Sequence, residues 1–267
     1  MKKILKKLLP PFVLYYARAL FGYGYSGNYL KWDDAATACE GYDSEIIFEK
    51  VKTAVLAVKS GDAACERDSV LFDKIVYSWP MLASLMYAAA YCKGNLHVVD
   101  FGGSLGSSYF QNKKFLKSLN LHWSIVEQPK FVAFGQQVLQ NDQLKFYPTL
   151  HEASAAMATD LVLLSSVLQY LENPYAILDE IANISPKFIL IDRTPFSLDE
   201  KETIKIQNVP TSIYKASYPI RFISQSKLLS YLEKIGYNVL EKFDSDIDGD
   251  TNNVHFGGIM AQKVSNA

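Results

Sequence analysis

Short apolar runs alternate with amphipathic segments along the second half of the chain. From residue 96 onward each apolar run has the length of a buried strand, and the segments between the runs have helical spacing of their apolar residues. Strands that alternate with helices are typical of a parallel sheet covered by helices on both faces. The predicted strands span residues 97–101, 123–127, 145–147, 161–165 and 188–192.

The end of the chain has a different pattern. A helix is predicted over residues 224–235, and two apolar runs at 238–243 and 254–263 follow it with a polar loop between them. Two runs joined in this way predict a hairpin. We therefore expect an α/β protein with a mostly parallel sheet that its last strand enters antiparallel.

The first third of the chain lacks the strand pattern. Residues 21–27 are rich in glycine and aromatic side chains, which predicts a flexible segment. Helical spacing is found over residues 32–39, 44–58 and 69–92. Pro80 falls within the last of these segments and is expected to kink or restart that helix. The prediction is an N-terminal helical lobe or lid over residues 1–93, followed by a sheet domain over residues 94–267.

Composition narrows the class of protein. Of the 267 residues, 49% are hydrophobic and 21% are charged, so the chain can bury a large core. A formal net charge of -1 gives no electrostatic basis for binding nucleic acid. The chain has three cysteines, Cys39, Cys65 and Cys92. Because their number is odd and none of them has C-x-x-C spacing, free thiols in a reducing compartment are expected.

The segment VVDFGGSLG at residues 98–106 carries the most specific signal in the sequence. An apolar strand runs into Asp100 and then into a turn that contains Gly102, Gly103 and Gly106. Glycines at such a turn leave the main-chain amides open to a ligand at the start of the next helix. A tight turn that binds no ligand is the alternative.

The turn does not match the patterns that bind phosphate. Ser104 and Ser107 occupy the positions of the second and third glycines of the dinucleotide motif G-x-G-x-x-G, and the chain has no G-K-[ST] triplet at this turn. S-adenosylmethionine has no phosphate, but its amino-acid end carries an ammonium group that needs acceptors. The turn therefore favours S-adenosylmethionine, with Asp100, the three glycines and Ser104 around its amino-acid end.

A second acidic residue strengthens this interpretation. Glu127 ends the second predicted strand, about 20 residues beyond the glycine turn, where a carboxylate can accept both ribose hydroxyls of a nucleoside. Gln128 follows it. Ser165 and Ser166 follow the fourth strand, at the same edge of the predicted sheet, and complete the predicted cofactor-binding set. A solvent-facing glutamate at a strand end is the alternative for Glu127.

The order of these features is that of a known fold class. Five parallel strands and a terminal hairpin, with a glycine turn after strand one and an acid after strand two, match the Rossmann-like sheet of class I methyltransferases. Ligands of such open sheets lie beyond the carboxyl ends of the strands, where the strand order reverses. One departure concerns adenine, because the region after strand three reads FYPTL and has no carboxylate before Glu152.

Longer segments resemble one bacterial family, the methyltransferases encoded in surface-polysaccharide gene clusters for O-antigen and capsule. The segments are 41–43 (GYD), 66–69 (ERDS), 77–80 (YSWP), 99–103 (VDFGG), 126–129 (VEQP) and 191–195 (IDRTP). The resemblance extends over nearly the whole chain. It implies a cytoplasmic S-adenosylmethionine-dependent enzyme that modifies a glycan or its activated precursor, and it does not specify the methyl acceptor.

The basic N-terminus bears on location. Four lysines at positions 2, 3, 6 and 7 interleave with apolar residues, which permits a weak peripheral contact with a membrane. A solvated helix start packed on the body is the alternative. A signal peptide is disfavoured because Pro10 and Pro11 interrupt the apolar stretch, and an exported protein would meet no S-adenosylmethionine. No apolar segment has the length needed to span a bilayer.

Four residues are candidates for catalysis. His255, in the final hairpin, is the first candidate general base, with a surface histidine as the alternative. Asp192 offers a second proton acceptor, and Arg193 could hold a phosphate or carboxylate of the acceptor; a local ion pair is their alternative. Tyr170, beside Gln169 after strand four, is expected to face the acceptor or to pack in the core. No cluster of metal ligands stands out, so a metal-free reaction is expected.

Two further groups of residues have weaker signals. A lid could supply substrate contacts through Arg67, Asp68, Tyr77 and Trp79, although both aromatic residues could equally attach the lobe to the sheet. Residues 244–249 match the first half of a calcium-binding loop. Position twelve of that loop is His255 rather than glutamate, and strands replace the flanking helices, so calcium is not expected.

The sequence thus predicts O-methylation of a sugar, or of a phosphate-type substituent on it, during surface-glycan assembly. The expected partner is a small-molecule or glycan acceptor, and no prediction is made for the oligomeric state. N-methylation of an amino sugar is an alternative within the same class. Two alternatives from other classes are an NAD-dependent sugar-modifying enzyme and a non-catalytic partner protein that retains the fold.

Overall fold

The structure is a computed structural model, and the residues that it describes are 24–39, 45–67, 69–209, 216–245 and 254–264. Several sequence-based hypotheses fall outside these residues. They concern the basic N-terminus, the GYD segment, Asp68 and most of the acidic loop after Asp244.

The described residues form twelve strands and eight α-helices. The strands are β1 (Gly24–Tyr29), β2 (Cys65–Arg67), β3 (Val70–Phe72), β4 (Asn95–Phe101), β5 (Asn120–Val126), β6 (Leu144–Tyr147), β7 (Leu161–Ser165), β8 (Phe188–Ser197), β9 (Thr203–Asn208), β10 (Ser217–Phe222), β11 (Tyr237–Asp244) and β12 (Val254–Lys263). The helices are α1 (Trp32–Thr37), α2 (Glu45–Ser60), α3 (Trp79–Tyr91), α4 (Ser107–Leu116), α5 (Pro129–Phe134), α6 (Leu150–Ala156), α7 (Pro174–Ile184) and α8 (Gln225–Lys234). A π-helical turn spans Gly135–Leu139, and a 3₁₀ turn spans Leu168–Tyr170.

Seven strands form the main sheet in the order β11-β12-β8-β7-β4-β5-β6. The pairs from β8 to β6 are parallel, whereas β12 is antiparallel to both of its neighbours. Both the mostly parallel sheet and the antiparallel last strand are confirmed. The strand order reverses beside β4, because the chain continues to β5 on one side and later returns to β7 on the other.

Alternation along the strands divides the core into two layers. Val98, Leu163 and Leu190 belong to one cluster with helices α2 and α3, and we call their side of the sheet the front face. Val99 and Ile191 belong to the other cluster with α7 and α8, on the back face. Because successive side chains of a strand point to opposite faces, the face of any other residue in a strand follows from its distance in sequence to one of these five residues.

The N-terminal helices pack into the front layer of the main sheet. Residues of α2 and α3, among them Val51 and Leu85, share one buried cluster with Trp123 of β5. A domain boundary between residues 93 and 94 stays a prediction. Cys39, Cys65 and Cys92 are free thiols in this arrangement.

The predicted helix over 69–92 is wrong in its first part. Residues 70–72 form β3, which pairs with β2 as a hairpin, and helix α3 begins only at Trp79. Ser78 caps that helix by accepting a hydrogen bond from the Met81 amide at 3.4 Å, and Pro80 lies in its first turn. A capping serine followed by proline is a helix start, so Pro80 begins the helix instead of bending it.

A second sheet, absent from the prediction, lies over the carboxyl edge of the main sheet. Its strand order is β1-β9-β10, and the predicted flexible segment at 21–27 contributes the start of β1. Strand β10 contacts the 3₁₀ turn after β7, and Ile223 forms a bridge to Phe196 of β8. The second sheet therefore borders the edge where ligands of open α/β sheets bind.

Candidate active site

Three adjacent strands bring polar side chains to the front face, at the carboxyl ends of β4 and β7 and in the middle of β8. Asp100 of β4 is two residues beyond Val98, and Ser165 of β7 is two residues beyond Leu163, so both share the front face with those residues. Asp192 of β8 is paired in register with Ser165. The alternation therefore gathers the acidic and hydroxyl groups that the sequence placed at strand ends.

The glycine turn packs tightly against the chain itself. A Cβ atom on Gly103 would lie 2.5 Å from Cγ of Asp100, and one on Gly102 would lie 2.5 Å from Cγ2 of Val167. Gly102 has φ +69° and donates its amide to the Val126 carbonyl at 2.9 Å. Gly106 has φ +97° and caps helix α4. Glycine is thus required at 102 and 103 because Val167 and Asp100 occupy the space of a side chain.

Asp100 is buried beneath this turn with only 1% of its surface exposed. Burial raises its pKa to about 7, nearby Glu127 adds to the rise, and a hydrogen bond from Trp123 opposes it. That bond joins Trp123 Nε1 to Asp100 Oδ2 at 3.1 Å. Trp123 had no predicted role, because an alternating strand does not reveal which apolar residue uses its single N–H group.

Glu127 follows β5 and binds the main chain around it. Its Oε2 accepts a hydrogen bond from the Gln128 amide at 2.6 Å. Burial raises the pKa of Glu127, while the amides of Gln128 and Ser104 lower it. The Ser104 amide belongs to the glycine turn, so Glu127 is tied to the same turn that covers Asp100. Gln128 contributes its backbone, and its side chain is exposed.

The end of β7 is connected to the middle of β8 by several hydrogen bonds. Ser165 Oγ donates to Asp192 Oδ2 at 3.4 Å, and the Ser166 amide donates to the Asp192 carbonyl at 2.9 Å. Gln169 Nε2 donates to Ser166 Oγ at 3.0 Å and to the Arg193 carbonyl at 3.2 Å. The predicted residues Ser165, Ser166, Asp192 and Arg193 therefore form one connected group.

Tyr170 lies at the border between the two sheets. Its hydroxyl donates to Gln207 Oε1 of β9 at 2.9 Å, and its ring meets Tyr218 of β10 edge-to-face with centroids 5.2 Å apart. It also packs against Phe222 and Phe256. Both the ring and the hydroxyl of Tyr170 therefore contact the second sheet, and they connect the 3₁₀ turn to it.

His255 is placed away from this group. A Cβ on Gly257 would lie 3.3 Å from His255 Nε2 and 3.5 Å from Phe196 Cε2, so these two side chains share one face. Phe196 belongs to the back-face cluster. His255 Nε2 lies 3.1 Å from Oδ1 of Asp244. The hypothesis that His255 is the general base does not fit, because Asp100 and Asp192 are on the front face.

The physical reason is a bulge in β8. Ile191 pairs with Ile259 and Thr194 with Gly257, so two residues of β8, Asp192 and Arg193, lie opposite the single residue Gly258. The register of β12 beyond the bulge decides which side chains face each side. Val254 and Phe256 consequently lie on the face of the sheet where Tyr170 packs against them. His255 lies on the opposite face.

A glutamate from the β2–β3 hairpin lies at the start of helix α4. Glu66 is 7% exposed, accepts a hydrogen bond from the Ser107 hydroxyl through Oε1, and accepts another from the Ser69 amide through Oε2 at 3.3 Å. Ser107 is the first residue of α4, which directly follows the glycine turn. Since a helix N-terminus attracts anions, the chain places its own carboxylate where an anionic ligand would otherwise bind.

The predicted lid residues that the structure describes, Arg67, Tyr77 and Trp79, have packing contacts. Tyr77 and Trp79 stack against each other and both meet Phe115 of α4, with centroid distances between 5.1 and 5.9 Å. Trp79 is nevertheless 58% exposed. The Arg67 guanidinium lies 5.1 Å from the ring centre of Phe72 within the hairpin. These contacts attach the hairpin and α3 to the body of the protein.

The predicted departure at the adenine position is visible after β6. Thr149 caps helix α6 by accepting from the Glu152 amide at 3.1 Å, and its hydroxyl donates to Glu152 Oε1 at 3.2 Å. The pair resembles a capping box, except that Glu152 accepts from the Thr149 hydroxyl and not from the Thr149 amide. Glu152, the nearest carboxylate after this strand, is therefore engaged in starting the helix.

The described residues include neither a cluster of metal ligands nor a membrane-spanning helix. Within the ranges that the structure covers, no group of three or more His, Cys, Asp or Glu side chains is arranged to hold a metal ion. No helix in those ranges combines the length and apolar character needed to cross a membrane.

The topology and the site together decide the fold class. The fold is that of class I S-adenosylmethionine-dependent methyltransferases. No protein-family model and no curated protein matches the sequence. The class I methyltransferase fold is shared with the N-terminal domain of EvdMO1, solved in the presence of S-adenosylhomocysteine and D-fucose, with a TM-score of 0.50 and 13% identity over 83% of this chain and 100% of that one.

Two other solved methyltransferases are similar at lower scores. One is the 1,6-didemethyltoxoflavin-N1-methyltransferase of Burkholderia thailandensis, with a TM-score of 0.44 and 13% identity over 84% of this chain and 92% of that chain. The other is the mitomycin 7-O-methyltransferase MmcR, with a TM-score of 0.44 and 15% identity over 83% of this chain and 69% of that chain.

Proposed function

We propose that this protein is an S-adenosylmethionine-dependent methyltransferase. The observation that carries the proposal is the pair Asp100 and Glu127, one buried and one half-buried carboxylate at adjacent strand ends that flank one glycine turn. Asp100 would bind the ammonium of the cofactor's amino-acid end through the turn, and Glu127 would accept the ribose hydroxyls. Ser165 and Ser166 would border the same crevice from β7.

The occupied start of helix α4 supports this cofactor over a dinucleotide. In dinucleotide-binding folds the pyrophosphate lies at the helix N-terminus after the first strand. Here Glu66 is bound to Ser107 at that position. A pyrophosphate would meet a buried carboxylate of like charge, and this repulsion costs free energy. A sulfonium nucleoside without phosphate avoids this repulsion.

The residues around Asp192 suit transfer of a methyl group to a hydroxyl. When bound, S-adenosylmethionine supplies an electrophilic methyl group on sulfur. Asp192 would accept the proton of the acceptor hydroxyl, with its carboxylate oriented by Ser165. Holding the nucleophile in line would supply much of the rate, and the proton acceptor about 10²–10⁴-fold more.

For the methyl acceptor we propose a sugar, or a phosphate-type substituent on it, in surface-polysaccharide assembly. The sequence resemblance supports this class, as does the likeness to a domain solved in the presence of D-fucose. The second sheet and Tyr170 border the side of the crevice near Asp192, where such an acceptor would enter. We propose the cytoplasm as the compartment because the cofactor is available there.

The cofactor assignment is tested by calorimetry with S-adenosylhomocysteine. Glu127→Ala is expected to abolish measurable binding, because the ribose would lose its acceptor. Glu180→Ala, which removes an exposed carboxylate on helix α7, is the matched control and should bind like the wild type. Unchanged affinity in Glu127→Ala would refute the ribose assignment, and binding of NAD instead would refute the cofactor.

The acceptor is tested with labelled methyl donor and a panel of nucleotide sugars and glycans. Label on a hydroxyl of one panel member would support the proposal. Label on an amino sugar nitrogen would replace O-methylation with N-methylation. Cofactor binding without transfer to any member would favour the non-catalytic alternative.

A further inference from the structure

Gln169 occupies an unusual position for an amide side chain. It is 1% exposed and lies in the 3₁₀ turn that follows β7. Its Nε2 donates one hydrogen bond to Ser166 Oγ, at the end of β7, and another to the Arg193 carbonyl, in the bulge of β8. One side chain therefore connects the end of β7 with the bulge in the middle of β8.

Both residues that Gln169 contacts have strained backbones. Ser166 has φ +56° and Arg193 has φ +53°, a left-handed conformation that residues with a side chain rarely adopt. Such conformations persist only where the surrounding structure holds them. Gln169 binds both residues, and the Ser166 amide adds a bond to the Asp192 carbonyl.

The other end of the same amide is poorly satisfied. Oε1 of Gln169 is buried and has no hydrogen-bond partner among the residues described. An unsatisfied buried oxygen destabilises a fold, so an apolar side chain of similar size would fill this space more favourably. The amide is explained by its two donated bonds and not by packing.

We propose that Gln169 is a positioning residue that fixes the end of β7 and the bulge of β8 for cofactor binding and for proton removal by Asp192. This inference rests on the proposed function. Gln169 acts through Ser166 and Arg193, whose backbone conformations it holds. Without the amide, both turns would relax, and the hydrogen-bonded group formed by Ser165, Ser166 and Asp192 would lose its geometry.

The test uses Gln169→Met, which keeps the volume and removes both donors and the unsatisfied oxygen. The melting temperature is expected to stay unchanged or to rise by about 2–4 °C. Hydrogen exchange of the Ser166 amide should become about tenfold faster, and the affinity for S-adenosylhomocysteine about tenfold weaker, as loss of one or two hydrogen bonds implies. Gln169→Leu should behave in the same way.

Thr159→Val is the matched control. Thr159 precedes β7 at the amino-terminal edge of the sheet, and its buried hydroxyl has no partner within the described part of the chain. Its replacement removes an unsatisfied oxygen far from the proposed site. Stability should be kept or raised, with ligand affinity and Ser166 exchange unchanged.

Each outcome decides the inference. A fall in stability that parallels the loss of affinity in Gln169→Met, loss of the fold in both apolar variants, or unchanged exchange at Ser166 would overturn it. If the wild type failed to bind S-adenosylhomocysteine, the proposed function would fall separately. Exchange and melting measurements would then still show whether Gln169 holds the two turns.

Discussion

Replacement of Asp100 with asparagine removes a titrating carboxyl group and keeps its shape beneath Gly103. In the folded protein burial raises the pKa of Asp100 to about 7, from an ordinary value of 3.8. The unfolded chain exposes this carboxyl to water and ionises it near the ordinary value. The two states therefore bind different numbers of protons over the whole interval between these pKa values.

The sign is opposite to that of a salt-bridged aspartate. Between pH 3.8 and about 7 the folded state holds a proton on Asp100 that the unfolded state has lost, so stability falls as pH rises and levels off above pH 7. The full effect is about 4 kcal/mol, of which about 2.5 kcal/mol falls between pH 5 and pH 8. Asp100 is fully buried, so solvent does not screen this effect.

Urea denaturation of the ligand-free protein at pH 5 and pH 8 measures the difference. The wild type should lose about 2.5 kcal/mol more stability over this interval than Asp100→Asn does. Glu127, whose pKa burial also raises, is present in both proteins, so the effect of its own burial is common to them and only its charge interaction with Asp100 differs. Equal pH dependence in the two proteins would refute the burial argument for Asp100.

Cofactor binding should shift the same equilibrium. An ammonium beside Asp100 favours the ionised form, so binding of S-adenosylhomocysteine near pH 6.5 should release a proton. Calorimetry in two buffers of different ionisation enthalpy counts that proton. Asp100→Asn should show no release from this group, and equal release in both proteins would place the ammonium elsewhere.

Two further substitutions test the site from other directions. Gly103→Ala would bring a Cβ to 2.5 Å from Cγ of Asp100. We therefore expect a loss of about 1–3 kcal/mol in stability, measured by denaturation, and weaker binding of S-adenosylhomocysteine, measured by calorimetry. Wild-type affinity would contradict the packing argument. His255→Ala should keep the ligand affinity within about twofold and should retain methyl transfer, because His255 lies on the back face. Loss of turnover with intact affinity would restore His255 as the base.

The parallel sheet could be predicted because its strands are buried on both faces. Continuous apolar runs marked β4, β5, β7 and the start of β8, and β7 spans Leu161–Ser165 as expected. The ends of such runs also placed Asp100, Glu127 and Ser165 at one edge. Local pattern was sufficient here, since consecutive elements of an α/β sheet are close in space.

The second sheet could not be predicted in the same way. Its strand β1 pairs with β9, about 180 residues later in the chain, and its segment GYSGNY has the composition of a loop. Strand formation there depends on a distant partner, and a single local window contains no signal of it. The position of Tyr170 between the two sheets was hidden for the same reason.

The face of His255 depended on a register that the sequence does not show. The bulge formed by Asp192 and Arg193 opposite Gly258 fixes the pairing of β12. A shift of one residue in that pairing would have moved His255 to the other face. Glu66 was also missed as a site residue, because its contact with Ser107 spans 41 positions.

Backbone strain in this protein is concentrated where the proposed chemistry takes place. Three residues with side chains and positive φ lie in the proposed site: Ser104 and Ser166 follow β4 and β7, and Arg193 lies in the bulge of β8. The other non-glycine residues with positive φ in the described ranges are Ser69, Lys93, Ser185 and Glu200. These four occupy a hairpin, two helix ends and a surface turn, where left-handed residues are ordinary. Ser104, Ser166 and Arg193 are instead held by Glu127, Asp192 and Gln169, so residues of the proposed site also maintain the strain. Relaxation at any one of them should therefore weaken cofactor binding before it weakens the fold.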